Sequence, residues 1–496
     1  MSFMGTMKNR FATPEADQAQ DDAGAGTKSA PSKPKPIDMP YAGLLLEDQD
    51  PLDYGLNAGR RVGETALSGW HMLLAGLTGS GKGRRCLYAN VVMWGNQSVI
   101  FMSTKGEDVA WTIRKRAQRG PVYVLDLGEE IKESHVQGID VTRVVSDPCK
   151  LVHSDDEAVG MADLLIATKD VGTPSGGSKS GGSDSTWEGM ASRPLAALIR
   201  AGGEIPHLKT GQPIDGGGIQ WALDALDHPP KKTKPGEAPP ADEEDYVTPN
   251  WGNAYLRAKT LGSRHAEALR AVMDMEQRQR DSVAMTMRNA LRAWSLDVVA
   301  GDKDAEAFEP AMLEKPGATL YIVSPGDGSA ASAACAVIEQ SIRWWRKGVD
   351  RNLPTLGLFL DELCQSAPLP KLPEMVSLLR GYNIRLVAAV QGTKQLRRRY
   401  GDAAEELLET FPSILVLPGT PAKEALELAA WFAGEDERVT TSTDHGGRGT
   451  RSVDRVERVT SSELLPRKPG TGRLLIGGQP GVLVSLPDIE ATDLLD

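Results

Sequence analysis

Cysteine is scarce in this 496-residue chain: Cys86, Cys149, Cys335 and Cys364 are far apart, and no two form a CxxC pair. That scarcity argues against a disulfide framework or a cysteine zinc site and fits a reducing compartment. Long hydrophobic runs are lacking too. No window approaches the roughly 18–20 apolar residues of a membrane span, and the N-terminus has no basic-then-apolar signal pattern, so the chain as given is expected to be soluble. There is no excess of positive charge: 56 Lys+Arg stand against 67 Asp+Glu, a net −11. This argues against a surface coated for nonspecific DNA binding but leaves room for a local basic channel. No histidine pairs with cysteine or carboxylate at metal-ligand spacing, and no internal repeat is evident.

The apolar share, 40%, excludes a wholly disordered chain. The length allows about three domains, and the 52 glycines and 32 prolines predict sizeable loops and inserts. Residues 1–38 are polar and close on Pro31-Ser-Lys-Pro-Lys-Pro36, a stretch too poor in apolar surface to offset its ordering entropy, so residues 1–40 are read as a disordered arm. Short apolar runs at 71–75, 98–102 and 122–125 then alternate with helical patterns from Lys82 and over 107–118. Strand and helix in alternation predict a parallel sheet with crossover helices.

From 154 to 300 the pattern turns helical, with helices expected at 154–168, 187–200, 218–226, 253–261 and 264–295. Two stretches, 172–184 and 203–248, read as link and loop. The α/β texture resumes with buried strands at 319–323, 356–360, 384–390 and 413–417, and helices at 329–347, 371–380, 402–410 and 421–433. A loop over 438–452 precedes two last short strands. The expectation is an α/β nucleotide-binding core in two parts, 41–153 and 301–496, interrupted by an all-α insertion at 154–300.

Chemistry concentrates at strand ends. Gly76-Leu-Thr78-Gly79-Ser80-Gly81-Lys82-Gly83 lies between an apolar strand and a helix start, the context of a phosphate-binding loop. Its glycines let backbone N–H groups converge at the positive end of a helix, and Lys82 adds a point charge for the β- and γ-phosphates. Gly83 stands where a Ser or Thr hydroxyl usually meets Mg²⁺. The run Leu356-Gly-Leu-Phe-Leu-Asp361-Glu362 ends in paired carboxylates, suited to hold the metal (Asp361) and to orient or deprotonate a water (Glu362). Gln391 closes another apolar strand, where ligands of open parallel sheets sit. A glycine turn and capped strand ends are the plain alternatives, and the three elements together favour ATP with Mg²⁺.

The series GLTGSGKG, FMSTKGED (101–108), TWEGMASRPLAALI (186–199), LFLDEL (358–363), LLRGYNIRLVAAVQGTKQLRRRYG (378–401) and GEDERVTTST (434–443) resembles the type IV coupling proteins, the TraG/TraD-type ATPases of conjugative secretion systems. The resemblance spans about residues 65–485. It implies a RecA-like P-loop fold with an all-α insertion, a homo-hexameric ring, and ATP hydrolysis that delivers DNA, or relaxosome and effector proteins, to a membrane-bound channel. It puts the phosphate loop at Gly76–Gly83, the carboxylates at Asp361 and Glu362, the sensor at Gln391, and a finger acting on a neighbouring subunit at Arg380, with Arg385 a second candidate. A glycine after the loop lysine is common in that family. Its members usually begin with two membrane-spanning helices and this chain has none, so the expectation is a cytoplasmic protein recruited to the membrane by a partner, or a soluble branch.

Basic clusters at Arg397–Arg399, Arg114–Arg116 with Arg119, and Arg343–Lys347, with Arg278 and Arg280, are either pore-facing or solvated helix faces. Trp344 and Trp345 cannot both face one side of a helix, so one belongs to the core. Arg438, Arg448 and Arg451 of the 438–452 loop could approach nucleotide or the next subunit. Two other readings are an FtsK-like double-stranded DNA pump and a nucleotide-gated adaptor that hydrolyses little; intact Lys82 and Glu362 speak against the adaptor.

Overall fold

The computed structural model describes residues 39–495 except 52–55, 172–181, 208–209, 229–245, 303–304, 421, 444–448, 478 and 480. The expected disordered arm, most of the 172–184 link and part of the 203–248 insert lie outside the described residues.

Strands β1 (Tyr41–Leu45), β2 (Thr65–Leu67), β3 (Met72–Ala75), β4 (Ser98–Ser103), β5 (Val122–Asp126) and β6 (Thr142–Arg143) come first, and a small hairpin, β7 (Glu204–Pro206) with β8 (Pro213–Asp215), follows. Then come β9 (Thr319–Val323), β10 (Leu356–Leu360), β11 (Ile384–Val390), β12 (Ser413–Val416), β13 (Glu435–Thr443), β14 (Gly449–Glu457), β15 (Thr471–Ile476) and β16 (Val482–Ser485). Twelve of them form one sheet in the order β2-β1-β16-β15-β12-β3-β11-β10-β4-β9-β5-β6. From β12 to β6 every neighbouring pair is parallel, whereas β15, β16, β1 and β2 extend the sheet antiparallel.

The central strands are buried along their whole length, which is why they read as unbroken apolar runs. Alternation assigns their side chains to two cores. Leu73, Ala75, Ile100 and Met102 face one that also contains the helices between β6 and β9 and the helix Ala331–Lys347. Met72, Leu74, Val99 and Phe101 face the other, with the helices after the phosphate loop and β4. The helices between β6 and β9 thus complete a core that the sheet begins. Their ends are set locally: Ser154 Oγ accepts from Glu157 N–H at 3.3 Å, and Asn250 Oδ1 from Asn253 N–H at 2.8 Å.

Three expectations are corrected. The single helix over 264–295 is Ala266–Met273 and Gln277–Ala290 followed by one 3₁₀ turn, because Glu276 is extended and its carboxylate caps the second helix, accepting from Arg278 N–H at 3.0 Å. The helix over 107–118 is broken at Thr112, whose hydroxyl is held by Tyr321 Oη at 2.9 Å in the core. The loop over 438–452 is largely a hairpin, with β13 paired antiparallel to β14 from Glu435–Glu457 to Thr443–Gly449. Its Val and Thr residues suit a pleated strand, and its glycine-rich centre obscured the signal. Sequence reading also missed β1, which pairs with β16. No described helix is long and apolar enough to cross a membrane.

Candidate functional site

In the parallel part of the sheet, β3, β10 and β11 lie side by side and point the same way. The sequence motifs that follow each strand are therefore brought to one edge, formed by the strand C-termini. β3 runs into Gly76–Gly83. Gly79 and Gly81 have φ of 80° and 90°, a region costly for any residue with a Cβ. A Cβ at Gly76 would lie 2.6 Å from Ser80 Oγ. Lys82 Nζ is folded over the loop, donating to the carbonyls of Gly76 at 2.7 Å and Leu77 at 3.3 Å, while Thr78 is exposed at the rim. Ser80 Oγ is buried without a partner among the described groups. A cleft of about 410 Å³ opens beside the loop, bounded by Gly79–Gly81, Arg84, Arg85, Pro418, Gly470 and Asp488.

β10 delivers the carboxylates. Asp361 N–H donates to Met102 O at 2.9 Å, fixing the turn after the strand. Burial first, then the nearby Asp108 carboxylate, push the Asp361 carboxyl up to about 6, against the pull of Lys82. Glu362 is 9% exposed, and burial raises its carboxyl as well. One Glu362 oxygen accepts from Gln391 Nε2 at 3.2 Å, and the other is buried with no hydrogen-bond partner of good geometry among the described groups, although the Gln395 side chain lies near the carboxylate. Gln391, at the end of β11, is steadied by its own N–H, which donates to Gln395 Oε1 at 2.8 Å. Lys82, the two carboxylates and the Gln391 amide thus lie together at one edge of the sheet.

Arg380 does not join them. It lies in the turn before β11, at the opposite edge of the sheet. Its exposed guanidinium sits 4.3 Å from the ring centroid of Trp70, and that of Arg385 sits 4.5 Å from the same ring. Trp70 precedes β3, so the length of that strand, roughly 20 Å from Trp70 to Gly76, separates Arg380 from the phosphate loop of its own chain.

Residues 42–427 match the family described as type IV secretory system conjugative DNA transfer. The chain belongs to that family.

Solved structures share the fold. The unbound bacterial conjugative coupling protein TrwBdeltaN70 is 18% identical, with 86% of each chain covered and a TM-score of 0.53. TrwB in complex with the non-hydrolysable GTP analogue GDPNP is 18% identical over 86% of this chain and 88% of that one, with a TM-score of 0.51. TrwB in complex with ADP and Mg²⁺ is 16% identical over 84% and 86%, with a TM-score of 0.50. No curated protein matches the chain in sequence.

The basic clusters of the chain divide. Arg116 is fully buried and donates to the carbonyls of Gly95, Gln97 and Gly317 and to Thr319 Oγ1, a structural role that excludes it from any pore. Trp345 is the core member of its pair, donating to Pro354 O at 2.8 Å, while Trp344 donates to Glu314 Oε1 at 2.7 Å. Lys347 pairs with Glu157, tying the 331–347 helix to the 155–168 helix. Arg397 pairs with Glu405 at 2.5 Å, and Arg280 lies 4.0 Å from Asp281. Arg114, Arg119, Arg278, Arg398 and Arg438 are exposed, whereas Arg448 lies outside the described residues.

Sequence reading missed Trp70, Tyr88, Ser103 and Asp108. Both Tyr88 Oη and Ser103 Oγ donate to Asp108, one to each carboxylate oxygen. The motif FMSTKGED contains two of the four, but its spacing shows no partner for them. Among the described residues no group of three or more His, Cys, Asp or Glu could hold a metal by itself. A metal here fits only with phosphate oxygens and water completing its shell, as Mg²⁺ prefers, and the hard oxygen donors around Asp361 suit it.

Proposed function

We propose that this coupling protein is an ATPase whose hydrolysis drives DNA, or a nucleoprotein or effector substrate, into a conjugative secretion channel. The observation that carries the reading is the pairing of Glu362 with Gln391 beside Lys82 and Asp361, with one buried Glu362 oxygen left for a water. Lys82 binds the β- and γ-phosphates, and the backbone of Gly76–Gly83 surrounds them. Asp361, whose carboxyl burial raises to about 6 in the protein alone, would hold the metal of a bound nucleotide as its carboxylate. Mg²⁺ bound with the nucleotide would supply Lewis-acid stabilisation of phosphoryl charge. Glu362 orients the attacking water and takes its proton, and Gln391 holds Glu362 in place.

Arg380 lies too far from its own loop to act there, which supports action on a neighbouring copy in a closed ring. In this reading 41–153 and 301–496 build the nucleotide-binding domain, 154–300 is the inserted domain, the assembly is a homo-hexamer, and a membrane-bound channel partner recruits it from the cytoplasm. ATPase activity with and without DNA tests the proposal. Stimulated turnover that vanishes in Lys82→Ala and Glu362→Gln supports it; a negligible, unstimulated rate at ring-forming concentrations contradicts it.

A further inference from the structure

The loop lysine is followed by Gly83, which has no hydroxyl to offer. The turn that begins at Gly83 is a π turn: residues Gly83–Leu87 form it, and Tyr88 N–H donates to Gly83 O, five residues back. The wider turn places Tyr88 directly over Gly83, where an ordinary α turn would have rotated it away. A Cβ at position 83 would lie 2.7 Å from Tyr88 Oη and 2.8 Å from its Cζ. The phenol therefore fills the space a side chain at 83 would use, and any residue larger than glycine collides with it.

The hydroxyl is also held in a definite state. Tyr88 Oη donates its proton to Asp108, whose second oxygen accepts from Ser103 Oγ. With the proton engaged, the lone pairs of the phenol oxygen remain, near enough to Asp361 for that carboxylate's charge to act on the phenol. Burial, followed by the Asp108 charge, pushes the phenol far above its ordinary range, so it stays a neutral hydroxyl. The ring is fixed edge-on against Phe101 at 6.1 Å and stacked on Trp111 at 6.3 Å. A neutral hydroxyl at the first turn of the helix, its proton given to a carboxylate, is what a Ser or Thr after the loop lysine ordinarily provides.

We infer that Tyr88 supplies the hydroxyl that Gly83 lacks, as an oxygen donor to the metal of a bound Mg²⁺-nucleotide or to a water in that metal's shell, with Asp108 as its positioning residue. The inference rests on the nucleotide-binding reading of Gly76–Gly83 and adds to it an assignment that can fail separately.

The test is equilibrium binding of a fluorescent, non-hydrolysable ATP analogue to the full chain, titrated with Mg²⁺ or Mn²⁺. Tyr88→Phe keeps the ring and its packing and removes only the oxygen. It is expected to bind the analogue without metal as the wild type does and to need about 10-fold more metal for the half-maximal effect. Tyr88→Ala should show the same defect, and Gly83→Ser placed in Tyr88→Ala should restore the metal midpoint, since the cleared space admits a serine hydroxyl. A purely packing role predicts lowered thermal midpoints with unchanged metal midpoints, and that result overturns the inference. So does a Gly83→Ser, Tyr88→Ala double variant that binds metal no better than Tyr88→Ala. If Lys82→Ala binds the analogue as tightly as the wild type, the loop reading itself fails, and this inference fails with it.

Discussion

The two edges of the parallel sheet are opposites. At the strand C-termini lie a glycine loop, Lys82, Lys105 and the carboxylates Asp108, Asp361 and Glu362, packed tightly enough that burial raises two of the carboxyls. At the strand N-termini lie Arg380 and Arg385, both against the Trp70 ring, the first exposed and the second buried. Beside them His71 is pushed down to about 3 by burial and then by the two arginines. One edge has more buried acid than it can comfortably ionise; the other gathers two guanidinium groups against one indole ring. On the proposed reading, neither edge alone is a complete catalytic site. Hydrolysis needs an acidic, metal-holding half and a cationic half that stabilises developing charge, and the strand length keeps them apart within one chain.

Substitutions at each edge separate the two roles. At the acidic edge, Glu362→Gln should leave nucleotide affinity in place while lowering kcat by about 10³-fold, as single-turnover and binding measurements would show. At the cationic edge, Arg380→Ala should lower kcat by about 10²–10³-fold without weakening nucleotide binding, and Arg380→Lys should rescue little, since an ammonium lacks the planar fork that stacks on Trp70. Trp70→Ala frees Arg380 without removing it, so a smaller loss of about 10-fold in kcat is expected, with Trp70→Phe in between.

The smallest effect concerns stability and carries a sign. The native state holds the Asp361 proton up to about pH 6, against an ordinary 3.8. Between those values the folded chain binds more protons than the unfolded one, so stability falls as pH rises through the window and the full cost is present above it. Asp361→Asn removes that cost. The variant, without nucleotide, should melt about 2–5 °C above the wild type at pH 8 and converge with it near pH 4, by differential scanning fluorimetry.

Apart from Asp108, the acidic edge was legible in the sequence because its other parts are local. Gly76–Gly83, Asp361–Glu362 and Gln391 each follow an apolar run, and the parallel register does the rest. Trp70 and Arg380 are about 300 positions apart and meet only because β11 lies beside β3. Tyr88 was hidden for a different reason: a π turn leaves no trace in apolar periodicity, and only the missing side chain of Gly83 hints that another group occupies its place. The hairpin β13–β14 was masked by glycines at its centre, whereas the helix breaks at Thr112 and Glu276 come from side-chain bonds that override propensity.

The claim that the two edges are halves of one site shared between copies is tested most directly by mixing two inactive variants, Lys82→Ala and Arg380→Ala. In a ring assembled from both, some interfaces join an intact loop from one copy to an intact Arg380 from its neighbour, about a quarter of them at equal amounts. The account predicts that ATPase activity, negligible in either variant alone, returns on mixing and peaks near the equal ratio. Mixtures that assemble normally and remain inactive at every ratio would contradict it.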